Sequence, residues 1–139
     1  MERIKFDSYN EGQEIPELVF GPVKQMDLVR YAGASGDFNP IHTDPEFAKS
    51  VGLPSTIAHG MYAMAQLGRM ATNWVHPAQI ENFSVKFKGM VLPGDTIVCK
   101  GVVKKKKEEE GKKRLYVSLE ALGPDQKARV SGDLIVNCD

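Results

Sequence analysis

Gly60-Met61-Tyr62-Ala63-Met64-Ala65-Gln66-Leu67-Gly68-Arg69-Met70-Ala71-Thr72-Asn73-Trp74-Val75 stands in front of a series of strand-like runs, and the architecture follows from that contrast. Met61, Met64, Ala65, Leu67, Gly68, Met70 and Ala71 leave few polar positions, which predicts a helix over residues 60–75 buried on most of its sides. Past Pro77 the period changes to two. Phe83, Val85 and Phe87 alternate with Ser84 and Lys86. Runs over 96–103, 114–122 and 128–136 follow, punctuated by Pro93-Gly94-Asp95, Glu110-Gly111 and Gly123-Pro124-Asp125. These predict four strands in a meander.

Upstream, residues 13–23 carry Ile15, Leu18, Val19, Phe20 and Val23 and suggest one early strand. Met26, Leu28, Val29, Tyr31 and Ala32 then recur at helical steps, with Gly33 or Gly36 as the stop. Asp44-Pro45-Glu46 has the form of an N-cap, a first-turn proline and an acidic first turn, opening a short helix to about Ser50. One early strand, a strand-rich second half and one apolar helix define an α+β fold, an antiparallel sheet wrapped around a helix. No repeat or Pro/Gly/Ser-rich linker divides the chain, so residues 1–139 are expected to form a single domain.

Eighteen basic and eighteen acidic side chains cancel, which leaves no global field for nucleic acid or a membrane surface. No apolar stretch is long enough to span a bilayer. Met1 to Phe6 has no apolar run behind its charges, unlike a secretory signal. Cys99 and Cys138 are far apart and outside any CxxC, so free thiols and a cytoplasmic location are expected. His42, His59 and His76 fall on separate segments without metal-ligand spacing.

Chemistry concentrates in Tyr31-Ala32-Gly33-Ala34-Ser35-Gly36-Asp37-Phe38-Asn39-Pro40-Ile41-His42. Such a loop can be no more than a tight connection, with Asp37 and Asn39 forming side-chain turns and Pro40 fixing the exit. Against that, Asp37 and His42 sit five apart across a proline-stiffened turn, where a carboxylate and an imidazole can converge on one water. Ala58-His59-Gly60 precedes the apolar helix, and a glycine amide at a helix N-terminus offers an unpaired donor with no side chain to block a carbonyl. That is an oxyanion site in outline. The methionines behind it suit an acyl chain or a plain core equally.

Residues 31–48, from Tyr31 through Asp37, Asn39, Pro40 and His42 to Asp44 and Ala48, closely resemble the hydratase 2 signature of MaoC-like, (R)-specific enoyl-CoA hydratases. Val51-Gly52-Leu53 and Ile57-Ala58-His59-Gly60-Met61 look like the segment that follows it there. The resemblance spans residues 31–61. It implies the hotdog fold, a curved antiparallel sheet around a central helix, and similarity to HadB-type (3R)-hydroxyacyl-ACP dehydratase subunits.

Carried over by position, it implies that Asp37 and His42 are the catalytic pair and that the Gly60 N–H polarises the thioester carbonyl. Asn39, His59 and Met61 are expected to position the loop or bind substrate. Gly68 departs from family members that have a serine there. The implied activity is a hydro-lyase acting on acyl-CoA or acyl-ACP in fatty acid metabolism, without metal or other cofactor. The implied assembly is a homodimer or higher homo-oligomer, or a heterodimer with a related hotdog subunit. The competing readings are an acyl-CoA thioesterase, which would direct water to C1, and a non-catalytic acyl-thioester-binding partner subunit.

Several features have plainer readings. Lys104 to Lys113, with its blocks of opposite sign around Gly111, reads as a solvated hairpin tip, with contact to CoA phosphates or an acidic carrier as the alternative. His59 reads as a structural hydrogen-bonder, His76 as a cation at a helix end, and Trp74 as the anchor of the apolar helix.

Overall fold

The computed structural model describes residues 1–139. Strand β1 (Glu14–Phe20) leads into helix α1 (Gln25–Ser35), a short helix α2 (Pro45–Ser50) and the long helix α3 (Gly60–Trp74). Strands β2 (Ile80–Phe87), β3 (Ile97–Glu109), β4 (Lys112–Leu122) and β5 (Ala128–Asn137) complete the chain. All pairings are antiparallel, and the sheet order is β1-β3-β4-β5-β2. This is the hotdog fold.

The order corrects the expected four-strand meander. β3, β4 and β5 follow one another, but β2 lies at the far edge against β5, and residues 88–96 carry the chain back across to β3. Alternation identifies a strand but is silent on its neighbour, because any partner presents the same two-residue period.

Sheet curvature has a visible cause. One cross-strand row reads Ile15, Gly101, Leu119, Gly132, Val85, with large side chains and glycines in alternation. A Cβ on Gly101 would sit 2.7 Å from Ile15 Cδ1 and 2.9 Å from Leu119 Cδ2, so their side chains occupy the space that the glycine leaves. A Cβ on Gly132 would meet the Ser84 carbonyl at 2.9 Å. The sheet thereby closes on Leu119, and α3 lies in the hollow. Leu67, Met70 and Ala71 of α3 join Ile97, Val103, Leu115, Leu119, Leu134 and Val136 in one buried cluster.

Burial of α3 is one-sided, which corrects the expectation of a helix covered nearly all round. Ala63, Leu67, Met70, Ala71 and Trp74 are buried, whereas Met61, Ala65, Arg69 and Asn73 form an exposed stripe. The sheet covers one face only, and weakly polar residues such as alanine and methionine do not reveal which face that is. Trp74 anchors the helix end by donating its indole N–H to the Tyr9 hydroxyl at 2.9 Å. His76 caps the following turn, its Nδ1 accepting from the Ala78 N–H, so it acts there as an acceptor rather than as a cation at a helix end.

The lysine run lies within β3. Glu108 faces Lys113, Glu109 faces Lys112, and Glu110-Gly111 makes the turn with positive φ at both residues. Cross-strand charge pairing and a two-residue turn account for its composition. No helix is long and apolar enough to cross a membrane.

Candidate active site

Helix α1 ends where Gly36 takes a left-handed conformation (φ 75°) and returns its N–H to the Ala32 carbonyl. The chain then folds by short side-chain turns. Asp37 N–H donates to Ser35 Oγ, Asn39 N–H to Asp37 Oδ1, and Ile41 N–H to Asn39 Oδ1. Asn39 thus caps the turn Pro40–His42, and Asp44 caps α2 two residues further on. These polar caps hold the loop without a hydrophobic core of its own.

That folding brings Asp37 Oδ2 to 3.7 Å from His42 Nε2. The carboxylate side chain is 53% exposed and the imidazole 8%. His42 Nδ1 lies 2.7 Å from the Ile57 carbonyl, which can only accept, so Nδ1 carries a proton. A neutral His42 therefore turns the Nε2 lone pair toward the carboxylate. Two acceptors face each other across a gap too wide for a direct hydrogen bond.

His59 lies beneath this pair. Its ring stacks on His42 with centroids 3.7 Å apart and planes 21° apart, and its Nε2 donates to the Asp37 carbonyl at 3.1 Å. Tyr31 meets the same ring edge-on at 4.8 Å. His59 Nδ1 is buried with no partner. Gly60 follows as the first residue of α3, where an N–H has no intrahelical acceptor. A Cβ on Gly60 would come within 3.1 Å of the Phe87 ring, at the end of β2. Met61 is exposed beside it.

The sequence-predicted residues Asp37, Asn39 and His42 thus fall on the turn after α1, and His59 and Gly60 where the α2–α3 connection enters α3. Donor atoms of Asp37, His42 and His59 lie within 4.8 Å of one another, a cluster invisible in their spacing. The rings stack, so their in-plane lone pairs run side by side rather than converging as a tetrahedral metal site requires. Each ring also uses one nitrogen on a backbone carbonyl.

Sequence reasoning missed Gln25 and Thr56. Thr56 Oγ1 donates to Gln25 Oε1, and Gln25 Nε2 donates to the His42 carbonyl at 2.8 Å. These bonds span 31 and 17 residues, and no periodicity flags them. The lysines of β3 are placed on the β3–β4 hairpin, not on the elements that carry this loop. Lys106 lies over the Phe6 ring and Lys107 over Tyr116.

A curved sheet around one helix, with a carboxylate and an imidazole facing each other near that helix's N-terminus, defines a hotdog protein with a candidate acid–base centre. Residues 10–122 match the MaoC like domain, and the chain belongs to that family. Similar proteins include a fatty acid synthase subunit beta of Aspergillus oryzae, 36% identical over 106 residues, which cover 73% of this chain and 5% of that protein. The peroxisomal enoyl-CoA hydratase 2 of Arabidopsis thaliana is 37% identical over 67 residues, 46% of this chain and 22% of that protein. The chain therefore spans only a small part of these relatives. Among solved structures, the R-hydratase PhaJ1 from Pseudomonas aeruginosa is similar with TM-score 0.82 at 25% identity, covering 96% of this chain and 84% of that one.

Proposed function

We propose that this chain, acting as one hotdog domain, is an (R)-specific enoyl-thioester hydratase, equally a (3R)-hydroxyacyl-thioester dehydratase, of fatty acid metabolism. The observation that carries the reading is the 3.7 Å gap between Asp37 Oδ2 and His42 Nε2. A water about 2.8 Å from each atom closes a triangle over that gap and can donate one hydrogen to each acceptor. Its oxygen lone pair is then free to attack.

In an enoyl thioester, conjugation makes C3 electrophilic. As the water oxygen bonds to C3, Asp37 takes one of its protons, and the C2=C3 electrons shift onto the thioester oxygen. The Gly60 N–H stabilises that charge. The enolate collapses as a proton from the dyad is delivered to C2. One water is added across the double bond, with no net change in protonation. His42 holds the water, His59 and Asn39 position the loop, and Met61 lines the approach.

Support for an assembly comes from the open edge of β2, whose partner on one side alone is β5, and from exposed Phe87 and Met90 beside it. We favour a homodimer through this edge. Hotdog neighbours include the ChsH1-ChsH2 and HadBC complexes of Mycobacterium tuberculosis, so a related subunit is the alternative partner. Two unpaired thiols suit a reducing cytoplasm.

The test is incubation of the purified protein with short and long trans-2-enoyl-CoAs. Loss of enoyl absorbance with formation of (3R)-hydroxyacyl product is expected. Release of free CoA thiol without hydration would replace this reading with a thioesterase. Inactivity alone, cured by a co-expressed hotdog partner, would make the chain one subunit of a heteromer.

A further inference from the structure

His42 is fixed from two directions by groups that never reach the proposed water. The ring is held by the Ile57 carbonyl through Nδ1, and the Ile57 N–H in turn donates to the Ile41 carbonyl at 3.1 Å. The main chain is held from the start of α1, where Gln25 Nε2 donates to the His42 carbonyl. Gln25 does not choose its orientation alone. The His42 carbonyl can only accept, so it takes the amide nitrogen; Thr56, 2% exposed and next to Ile57, donates its hydroxyl to the Gln25 Oε1 that this leaves. One strap, Thr56-Ile57, therefore governs both tethers of one imidazole.

We propose that Gln25 and Thr56 are positioning residues for the acid–base pair, a two-member relay that sets the gap between His42 Nε2 and Asp37 Oδ2. The relay runs in one direction: hydroxyl to amide oxygen, amide nitrogen to carbonyl. Removing the hydroxyl leaves Gln25 Oε1 without its donor, so the amide loses the bond that holds it against the His42 carbonyl. With that hold loosened, the His42 segment would shift. This inference rests on the hydratase reading for its kinetic consequence but not for its structural one.

The experiment compares Thr56→Val, Thr56→Ser and Gln25→Met with the unaltered chain, using a short trans-2-enoyl-CoA. Misplacement of a catalytic group by about 1 Å can cost about a hundredfold in rate, and a smaller shift about tenfold. Thr56→Val and Gln25→Met are each expected to lower kcat by about that factor with KM nearly unchanged. Thr56→Ser keeps the hydroxyl and should retain most of the rate. The double variant Gln25→Met/Thr56→Val should lose no more than the worse single variant, because both break one chain of bonds.

A second readout is independent of catalysis and of the folding of any variant. In the unaltered protein, the Gln25 side-chain amide protons should exchange with solvent more slowly than those of the exposed Gln126, and the Thr56 hydroxyl proton should exchange slowly enough to be seen by NMR. Should the protein hydrate no enoyl-CoA, alone or with a co-expressed hotdog partner, while these protons are protected, the hydratase reading fails and the relay stands. Rapid exchange of all of them, additive losses in the double variant, or a Thr56→Ser loss equal to that of Thr56→Val would each overturn the relay.

Discussion

The inner face of the sheet and the segment 36–59, two irregular stretches (here the loop) either side of α2, are held together by opposite means. Across the sheet, Leu115, Leu119, Leu134, Val103 and Val136 are fully buried against Leu67 and Met70 of α3, each touching several others. Burying such a side chain contributes about 1.5–3 kcal/mol, and loss of one contact is shared among neighbours. The loop has scarcely any buried apolar residue. It holds its shape through single polar bonds: Asn39 to Ile41, His42 to Ile57, His59 to the Asp37 carbonyl, Gln25 to the His42 carbonyl. The core is redundant and the loop is not. Substitutions in the first region should move stability more than chemistry, and those in the second the reverse.

The largest expected effect is on the dyad. Asp37→Asn and His42→Gln should each lower kcat on an enoyl-CoA by about a hundredfold or more if they hold and deprotonate water. Asp37 is half exposed, so the melting temperature of Asp37→Asn should stay within a few degrees of the original. Steady-state kinetics beside a thermal melt reads both. A large fall in melting temperature for Asp37→Asn would break the division between the two regions.

Gly101→Ala is the converse experiment. Its Cβ would press on Ile15 at 2.7 Å and Leu119 at 2.9 Å, both buried. Overpacking of this kind costs about 1–3 kcal/mol, or about 3–12 °C in a domain of this size. Turnover by the folded fraction at low temperature should be preserved. Adding Ile15→Val removes the methyl nearest the new Cβ and should recover part of the loss; no recovery would mean that the row of glycines does not control curvature by that contact.

Gly60→Ala tests the border between loop and core. The new Cβ would lie 3.1 Å from the Phe87 ring, a contact that a shift of the ring by a few tenths of an ångström relieves. Melting temperature should change little. If the Gly60 amide receives the thioester oxygen as proposed, a methyl group beside it should lower catalytic efficiency about tenfold or more. Phe87→Ala in the same chain relieves the ring contact but leaves the methyl, so kcat/KM should stay low. A full rescue would move the defect from the carbonyl site to the ring.

The same division explains what could be read from the sequence. Strand and helix periods, the Gly36 stop and the Asp44 cap are local signals, and each produced its element. The pairing of β2 with β5 and the one-sided burial of α3 are decided by contacts between distant segments, which a period does not encode. In the loop, Asp37, Asn39 and His42 were conspicuous because their neighbours Gly36 and Pro40 fix the backbone between them. Gln25 and Thr56 were not, since a glutamine at a helix start and a threonine in a strap are unremarkable until folding brings them to one carbonyl.

The two free thiols give a smaller contrast. Burial pushes Cys99 up to about 12, while Cys138 is raised less and remains partly open. Near pH 8 an aromatic disulfide reagent should titrate one thiol in the folded protein and a second on denaturation, because the thiolate is the reacting species. Two fast thiols in the native protein would mean that the core opens more readily than its packing implies.

Gly68 is where the two regions should differ least. It lies within α3, half-buried, and a Cβ there would meet only the Phe83 ring at the ordinary contact distance of 3.5 Å. Serine is a better helix former than glycine by a few tenths of a kcal/mol. Gly68→Ser should therefore leave the melting temperature equal or slightly higher. On the proposed mechanism Asp37, His42 and the Gly60 amide suffice for the chemistry, so kcat should stay within about twofold of the original, a free-energy change of about 0.4 kcal/mol. A tenfold gain would show instead that the dyad is short of a hydrogen-bonding group, and that this helix, otherwise core, carries part of the chemistry.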